Sequence, residues 1–336
     1  MNSRQRIKTI IAGQKADRCG FWLGNPHADT WPIIHKFFAT STEEEVRLKL
    51  GDDFRWIWPG LAQSYYQHPE GKIPFGNIPG KIAHGSKGPF ADCTSPAEIE
   101  SYDWPKIEYM DFTETLEMLK NVGPFYRASG MWTCFYHNVM DLFGMESYMM
   151  NMIANPALVH AVTDKVCEFY YNANEKLFTE AGDLIDGFFF GNDFGTQTSL
   201  ICGPDQFDEF ILPWFQKFTD QAHRFGYQVI LHSCGSIHNV IERFIKMRVD
   251  CLHPLQAKAK DMDAETLARD FKGRIAFMGG IDTQQLLVEA TPQEIKADVK
   301  RVKELLAPNL IISPSHEAIL PNVPPENILA MAQAVL

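Results

Sequence analysis

The 336-residue chain has no apolar run near the roughly 20 residues that a bilayer-spanning helix needs. Its first residues, Met1-Asn-Ser-Arg-Gln-Arg-Ile-Lys8, are basic but lack the apolar stretch and small-residue cleavage site of an export signal. They read instead as the start of an amphipathic helix, and a cytoplasmic protein with no membrane partner is expected. Positive charge is also short: 31 Lys+Arg against 42 Asp+Glu leave a formal net charge of -11. A nucleic-acid partner would want a basic face, so that class is set aside. The seven cysteines, at positions 19, 93, 134, 167, 202, 234 and 251, are odd in number. With no export signal, a disulfide framework is not expected. Cys134 and Cys251 lie inside apolar runs and read as small buried hydrophobes. Nothing resembling a linker divides the chain, and residues 1–336 are taken as one domain.

What is present is alternation. Short apolar runs bounded by Gly, Asn, Asp or Pro alternate with longer stretches of helical period, the pattern of buried parallel strands separated by helices. The eight runs are Cys19–Gly24, Phe54–Trp58, Met131–His137, Ile185–Phe190, Tyr227–His232, Val249–His253, Arg274–Gly279 and Leu310–Ser313. Between them, Ser147 to Ala181 reads as two helices, the second opened by Pro156 and closed by Gly182. A further helix begins at Pro204 and stops at Gly226. Thr291-Pro-Gln-Glu294 is a cap, and Pro325 opens the last helix. Eight strand–helix repeats predict an α/β fold, a closed (β/α)8 TIM barrel. Residues 61–105 hold Gly and Pro at short intervals and predict a long loop or hairpin inserted over one barrel end.

In such a barrel the reactive groups follow the carboxyl ends of the strands. Every run but the second is followed by residues able to bind metal or move protons. The sharpest element is Ile230-Leu-His-Ser-Cys-Gly-Ser236. His232 and Cys234 share parity on an extended segment, so both face one side, and Gly235 lets the chain turn at once. A neutral imidazole with a thiolate suits zinc better than magnesium or calcium. A third protein ligand is needed, and His316 or Glu317 in Ile312-Ser-Pro-Ser-His-Glu317 is the candidate. Glu317 would otherwise orient a ligand from behind. Asp193 is the expected functional carboxylate, with Asn192 and Gln197 as polar neighbours and His137 and His253 facing the same mouth. Most tryptophans are expected in packing, with a few near the mouth able to line a flat substrate.

His232-Ser-Cys-Gly235, Phe277-Met-Gly-Gly-Ile-Asp-Thr-Gln284, Ser313-Pro-Ser-His316 with Pro321-Asn-Val-Pro-Pro-Glu-Asn-Ile328, and Gly191-Asn-Asp-Phe-Gly-Thr-Gln197 together resemble the uroporphyrinogen decarboxylase superfamily. The resemblance covers roughly residues 110–336 and itself implies a (β/α)8 barrel. It also brings in Gln256 and Asp282 as substrate contacts beside Glu317. Decarboxylases of this superfamily carry an Arg-rich N-terminal segment for acidic porphyrin side chains. Here the comparable stretch, Asp17–Asn25, offers only Arg18. The zinc- and corrinoid-dependent methyltransferase branch resembles the chain better through its His-x-Cys pair, although its third ligand is often a Cys where His316 stands here.

That departure changes the charge. Zinc with one His and two Cys is formally neutral, whereas zinc with two His and one Cys keeps one positive charge and is the stronger Lewis acid. The resemblance therefore implies methyl transfer from a small, methoxylated compound to a corrinoid protein. The alternatives are transfer from a methyl-corrinoid to a thiol, decarboxylation of an acid smaller than a porphyrin without zinc, or a barrel that binds a corrinoid without turnover. No Asp-x-His-x-x-Gly segment is present to ligate cobalt, so the corrinoid is expected on a separate partner protein.

Overall fold

The computed structural model describes residues 1–76 and 87–336. Eight strands are present among the described residues: β1 (Gly20–Phe21), β2 (Phe54–Trp56), β3 (Tyr126–Ser129), β4 (Gly187–Gly191), β5 (Gln228–His232), β6 (Cys251–His253), β7 (Ala276–Ile281) and β8 (Leu310–Pro314). They form one parallel sheet in the order β1-β8-β7-β6-β5-β4-β3-β2. The two edges, β1 and β2, are neighbours in sequence. They approach closely enough for Asp53 N–H to donate to the Phe21 carbonyl at 2.9 Å. The sheet thus nearly closes on itself, with helices between successive strands, and the fold is a (β/α)8 barrel.

Strand period decides what fills it. On β4, Phe189 points inward to pack with Trp22, Phe54, Tyr126, Ile230 and Met278, while Phe188 and Phe190 face the helical layer. The helix Ser3–Ile11 starts with a capping box between Asn2 and Gln5. It closes the amino-terminal end of the barrel by inserting Ile7, Ile10 and Ile11 into that interior. With one end plugged, only the carboxyl ends of the strands are left to carry a site.

The expected helices appear as Met145–Ala154, Pro156–Ala181, Pro292–Leu306 and Pro325–Val335. The helix opened by Pro204 is continuous to Arg224 but widens into a π turn over Phe207–Ile211. Pro213 follows that turn and has no N–H to donate into the ladder.

One strand departs from the sequence reading. The run Met131–His137 is not β3, which is Tyr126–Ser129, and Phe135–Phe143 is a helix. The real strand is masked by Arg127, whose side chain is buried against Asp186. The apolar residues 135, 136, 139, 140, 142 and 143 are buried at helical spacing instead. His137 therefore sits in the first turn of a helix, not at a strand end. The described residues of 61–105 are irregular chain with short 3-10 turns, laid against the helices after β3 through Phe90 N–H to the Leu142 carbonyl (2.8 Å) and Phe75 on Phe169 (5.4 Å between rings). Part of this predicted insertion, 77–86, lies outside the described residues. No helix among the described residues is long and apolar enough to cross a membrane.

Candidate metal centre

β5 delivers His232 at its last position, and Cys234 follows two residues on. Gly235 then turns with φ 88° and presses so closely on the Gly195 backbone that a Cβ there would lie 2.3 Å from it. Only glycine suits both demands. The result is Cys234 Sγ at 3.4 Å from His232 Nε2. Zinc–nitrogen and zinc–sulfur bonds of about 2.0 and 2.3 Å at a tetrahedral angle put the two donors about 3.5 Å apart. The pair fits.

Two residues hold this loop in place. Asp193, just after β4, accepts the Cys234 N–H at 2.8 Å, and the same Oδ1 lies 3.3 Å from His232 Nε2. Gln256, after β6, accepts the Gly235 N–H at 2.7 Å. Gln256 was expected to touch substrate, but its carbonyl oxygen is spent on the loop.

From the other side, β8 brings in His316 and Glu317. Glu317 Oε2 is 3.5 Å from His232 Nδ1 and 3.7 Å from His316 Nδ1. Three groups of donors come within 4.8 Å of one another: Asp193, His232 and Cys234; His232, His253 and Glu317; and Cys234, His316 and Glu317. The expected trio of His232, Cys234 and His316 is not itself one of these groups: His316 joins Cys234 and Glu317, while His232 joins Cys234 and Asp193. Cys234 joins the first group to the third, and Glu317 joins the second to the third. Two buried atoms in the cluster, His253 Nε2 and Glu317 Oε2, lack any hydrogen-bond partner. Buried polar atoms are seldom left so, and an oxygen without a donor beside a thiol and imidazoles suits a cation.

The electrostatics follow from crowding. Burial works against charge on His232, yet the Glu317 carboxylate, Cys234 and Asp193 together raise its pKa well above the ordinary histidine value. Burial, with His232 and His316 nearby, pushes His253 well below that value. Burial alone would raise Asp193, but its contacts with His232 and the Cys234 N–H prevail and hold it well below the usual carboxylate range. Contact with Cys234 raises His316 against the effect of its burial.

The remaining expected residues divide. His253, at the end of β6, is fully buried behind His232 and is not open to a substrate. Asn192 fastens the loop after β3, accepting from Tyr136 N–H and donating to the Thr133 carbonyl. Asp282 caps the turn after β7, accepting from the N–H groups of Gln284, Gln285 and Leu286. Gln197 is exposed in a turn. His137 does reach the mouth, where a cavity of about 300 Å³ is also lined by Trp132, Cys134, Asp141, Asp193 and His232. Trp132, whose ring lies 5.4 Å from that of His232, and Asp141 were not singled out from the sequence. The misplaced β3 hid both, since placing the strand end at Ser129 brings the next dozen residues to the mouth. A second cavity of about 490 Å³ opens beyond His316, lined by Gln256, Thr283, Gln284, Ser315 and Asn322. The metal-ligand candidates lie between the two.

Arg18, the one arginine of the Asp17–Asn25 stretch, is at the opposite end of the barrel, donating to Asp53 at 2.8 Å beside Arg6.

A barrel closed at one end and gathering imidazole, thiol and carboxylate donors at the other defines a class whose chemistry belongs to the strand-end loops. Residues 90–336 match the model of the uroporphyrinogen decarboxylase (URO-D) family, and the chain belongs to that family. A uroporphyrinogen decarboxylase of Geobacter sulfurreducens is 28% identical over 193 residues, which make up 55% of this chain and 50% of that protein. The match thus spans about half the length of the relative. Among solved structures, a methyltransferase from Methanosarcina mazei is similar in fold, with a TM-score of 0.64 at 17% sequence identity over 99% of this chain and 98% of that one.

Proposed function

We propose that the protein is a zinc-dependent enzyme that moves a methyl group between a small substrate and a corrinoid carried on a partner protein. The observation that carries this reading is the His232–Cys234 pair, 3.4 Å apart at the mouth of the barrel. A nitrogen–sulfur donor set of this kind selects zinc over hard cations. His232 and Cys234 would be two ligands, and the third would be His316 or Glu317. Bound there, zinc would supply Lewis acidity toward an ether or thiol group of the substrate.

The chain's own residues do the rest. Asp193 holds the Cys234 backbone and faces the same His232 nitrogen, so it sets the approach of both ligands. Trp132 offers a flat wall to a small aromatic substrate, and His137 lines the same cavity. The two cavities on either side of the donors leave room for substrate on one side and partner on the other. With His316 as third ligand the site keeps one positive charge, which favours removing a methyl group from a methoxylated compound over activating a thiol. Transfer from a methyl-corrinoid to a thiol is the reverse version of the same chemistry.

A second reading has one observation in its favour: the Geobacter relative is a decarboxylase. Decarboxylation of a small acid would need no metal. An octa-acid porphyrin is less suitable, since Arg6 and Arg18 are tied to Asp17 and Asp53 far from the mouth. The discriminating experiment incubates zinc-loaded protein with a methoxyarene and a reduced corrinoid protein. Methyl-cobalt absorbance that depends on Cys234 is expected. Its absence with every ether and alcohol tried, and no loss of methyl-cobalt absorbance when a methyl-corrinoid protein is offered a thiol, alongside carbon dioxide release from a carboxylate, would give the decarboxylase reading first place.

A further inference from the structure

We infer that His253 is a positioning residue: its Nδ1 accepts the Nδ1–H of His232 and so fixes His232 in the tautomer that offers Nε2, together with Cys234 Sγ, to a metal ion. This rests on the reading of His232 and Cys234 as metal ligands, and it assigns His253 a role that its complete burial denies it as a substrate contact.

The geometry begins with the two faces of one ring. His232 Nε2 looks toward Cys234 Sγ at 3.4 Å and Asp193 Oδ1 at 3.3 Å. His232 Nδ1 looks the other way, 2.9 Å from His253 Nδ1. A histidine that ligates through Nε2 has given up that lone pair, so its remaining proton is on Nδ1. Nitrogens 2.9 Å apart form a hydrogen bond only if one carries the hydrogen and the other a lone pair. His253 must then be neutral, with its own proton on Nε2. A second cationic or Nδ1-protonated ring would set two hydrogens against each other.

The surroundings of His253 support a fixed acceptor. The ring is held at 5.1 Å from Trp22 and 5.3 Å from Phe189, centroid to centroid, inside the barrel core. Its backbone is pinned by β6: the residue pairs with His232 in the sheet register, and its carbonyl accepts from Ser233 N–H at 2.8 Å. Glu317 Oε2, the other acceptor near His232 Nδ1, is 3.5 Å away, too far for a good bond. Ligating histidines usually give their second N–H to a carboxylate or carbonyl. Here the acceptor is another imidazole, uncharged, which orients the ligand without adding negative charge to the site.

The test uses the full-length protein stripped of metal, with His253→Phe and His253→Asn beside wild type. Zinc affinity is read by chelator competition, stability of the metal-free form by denaturant, and the ligand set by the visible spectrum of the cobalt(II)-loaded form. Phe keeps an aromatic ring between Trp22 and Phe189 but cannot accept the bond. It should weaken zinc about 10–100-fold while the metal-free protein is as stable as wild type or more so. Asn places a carbonyl oxygen near the position of Nδ1 but leaves a void, so it should lose stability and still bind zinc more tightly than the Phe variant. The cobalt spectrum should keep the same shape in all three. A Phe variant within threefold of wild type, or an Asn variant no better than Phe, overturns the inference and leaves the metal centre standing. Loss of a ligand band in the Phe spectrum overturns it too, by making His253 a ligand. A wild type that takes up neither metal overturns both this inference and the proposed function.

Discussion

The two ends of the barrel treat charge in opposite ways. At the amino-terminal end every buried charge is matched. Asp53, with a fully buried side chain, accepts from Arg6 at 2.7 Å, Arg18 at 2.8 Å and the Phe21 N–H at 3.1 Å. Asp186 is likewise surrounded by Arg4, Lys8 and Arg127. At the carboxyl-terminal end, thiol, imidazole and carboxylate groups crowd together with the buried Glu317 Oε2 lacking a hydrogen-bond partner. A satisfied network supports a fold. A network missing one cation points to a site. Arg4, Arg6, Arg18 and Arg127 are engaged at the first end, and among the described residues no arginine lines the cavities beside His232 and His316.

The largest effect is expected from breaking the matched end. Asp53→Ala leaves Arg6 and Arg18 facing each other without their shared carboxylate, and removing one partner of a buried pair costs roughly 3–5 kcal/mol. Denaturant unfolding should show that loss, while zinc content of the folded protein stays at the wild-type level. A loss below about 1 kcal/mol would mean that the two ends are not as different as their geometry says.

Next comes Asp193→Asn, which keeps the shape but removes the charge beside His232 Nε2. Zinc should bind about 10–100-fold more weakly, and the metal-free form should lose stability at neutral pH too, because the carboxylate that His232 and the Cys234 N–H hold below its usual range is gone. Equal zinc affinity would remove Asp193 from the site.

A third prediction concerns pH in the metal-free protein. His232 is raised above the ordinary value of 6.5 and His253 lowered below it. Below about 6.5 the unfolded chain protonates both rings while the native pair holds one proton, so stability falls with acid. Above 6.5 the unfolded chain holds neither while native His232 keeps its proton, so stability falls toward alkali until the raised pKa is passed. The pair's contribution therefore peaks near pH 6.5, with slopes of up to about 1.4 kcal/mol per pH unit. In His253→Phe the acid-side slope should shrink and the alkaline side remain, as followed by denaturant unfolding from pH 5 to 8. An unchanged acid side would separate His253 from the linkage.

The smallest effect belongs to an exposed pair. Arg274 and Glu242, 2.7 Å apart and both partly open to solvent, should matter by less than about 1 kcal/mol when Arg274→Ala is made. A cost comparable with that of Asp53→Ala would show that pairing, rather than burial, makes the amino-terminal end strong.

Much of the barrel could be read from the chain, because strands buried on both faces leave short apolar runs and the helices begin with Pro156, Pro292 and Pro325. β3 could not. Its Arg127 looks like a surface residue until Asp186, 59 positions on, is brought beside it. For the same reason the mouth residues Trp132 and Asp141 were missed and His137 was assigned to a strand. His232 and Cys234 were legible since parity and a following glycine are local properties. The burial of His253, and the use of Gln256, Asn192 and Asp282 as loop fasteners, depend on neighbours from other strands. No local pattern contains them.

The account turns on whether the unmatched end holds a metal. The decisive measurement is the zinc content of carefully purified wild type beside Cys234→Ala, with unfolding curves to show that both are folded. About one zinc per chain in wild type, as a mononuclear site requires, and none in the folded variant is the predicted result. Wild-type protein that is folded and free of zinc, and that takes none up when offered it, would contradict the account.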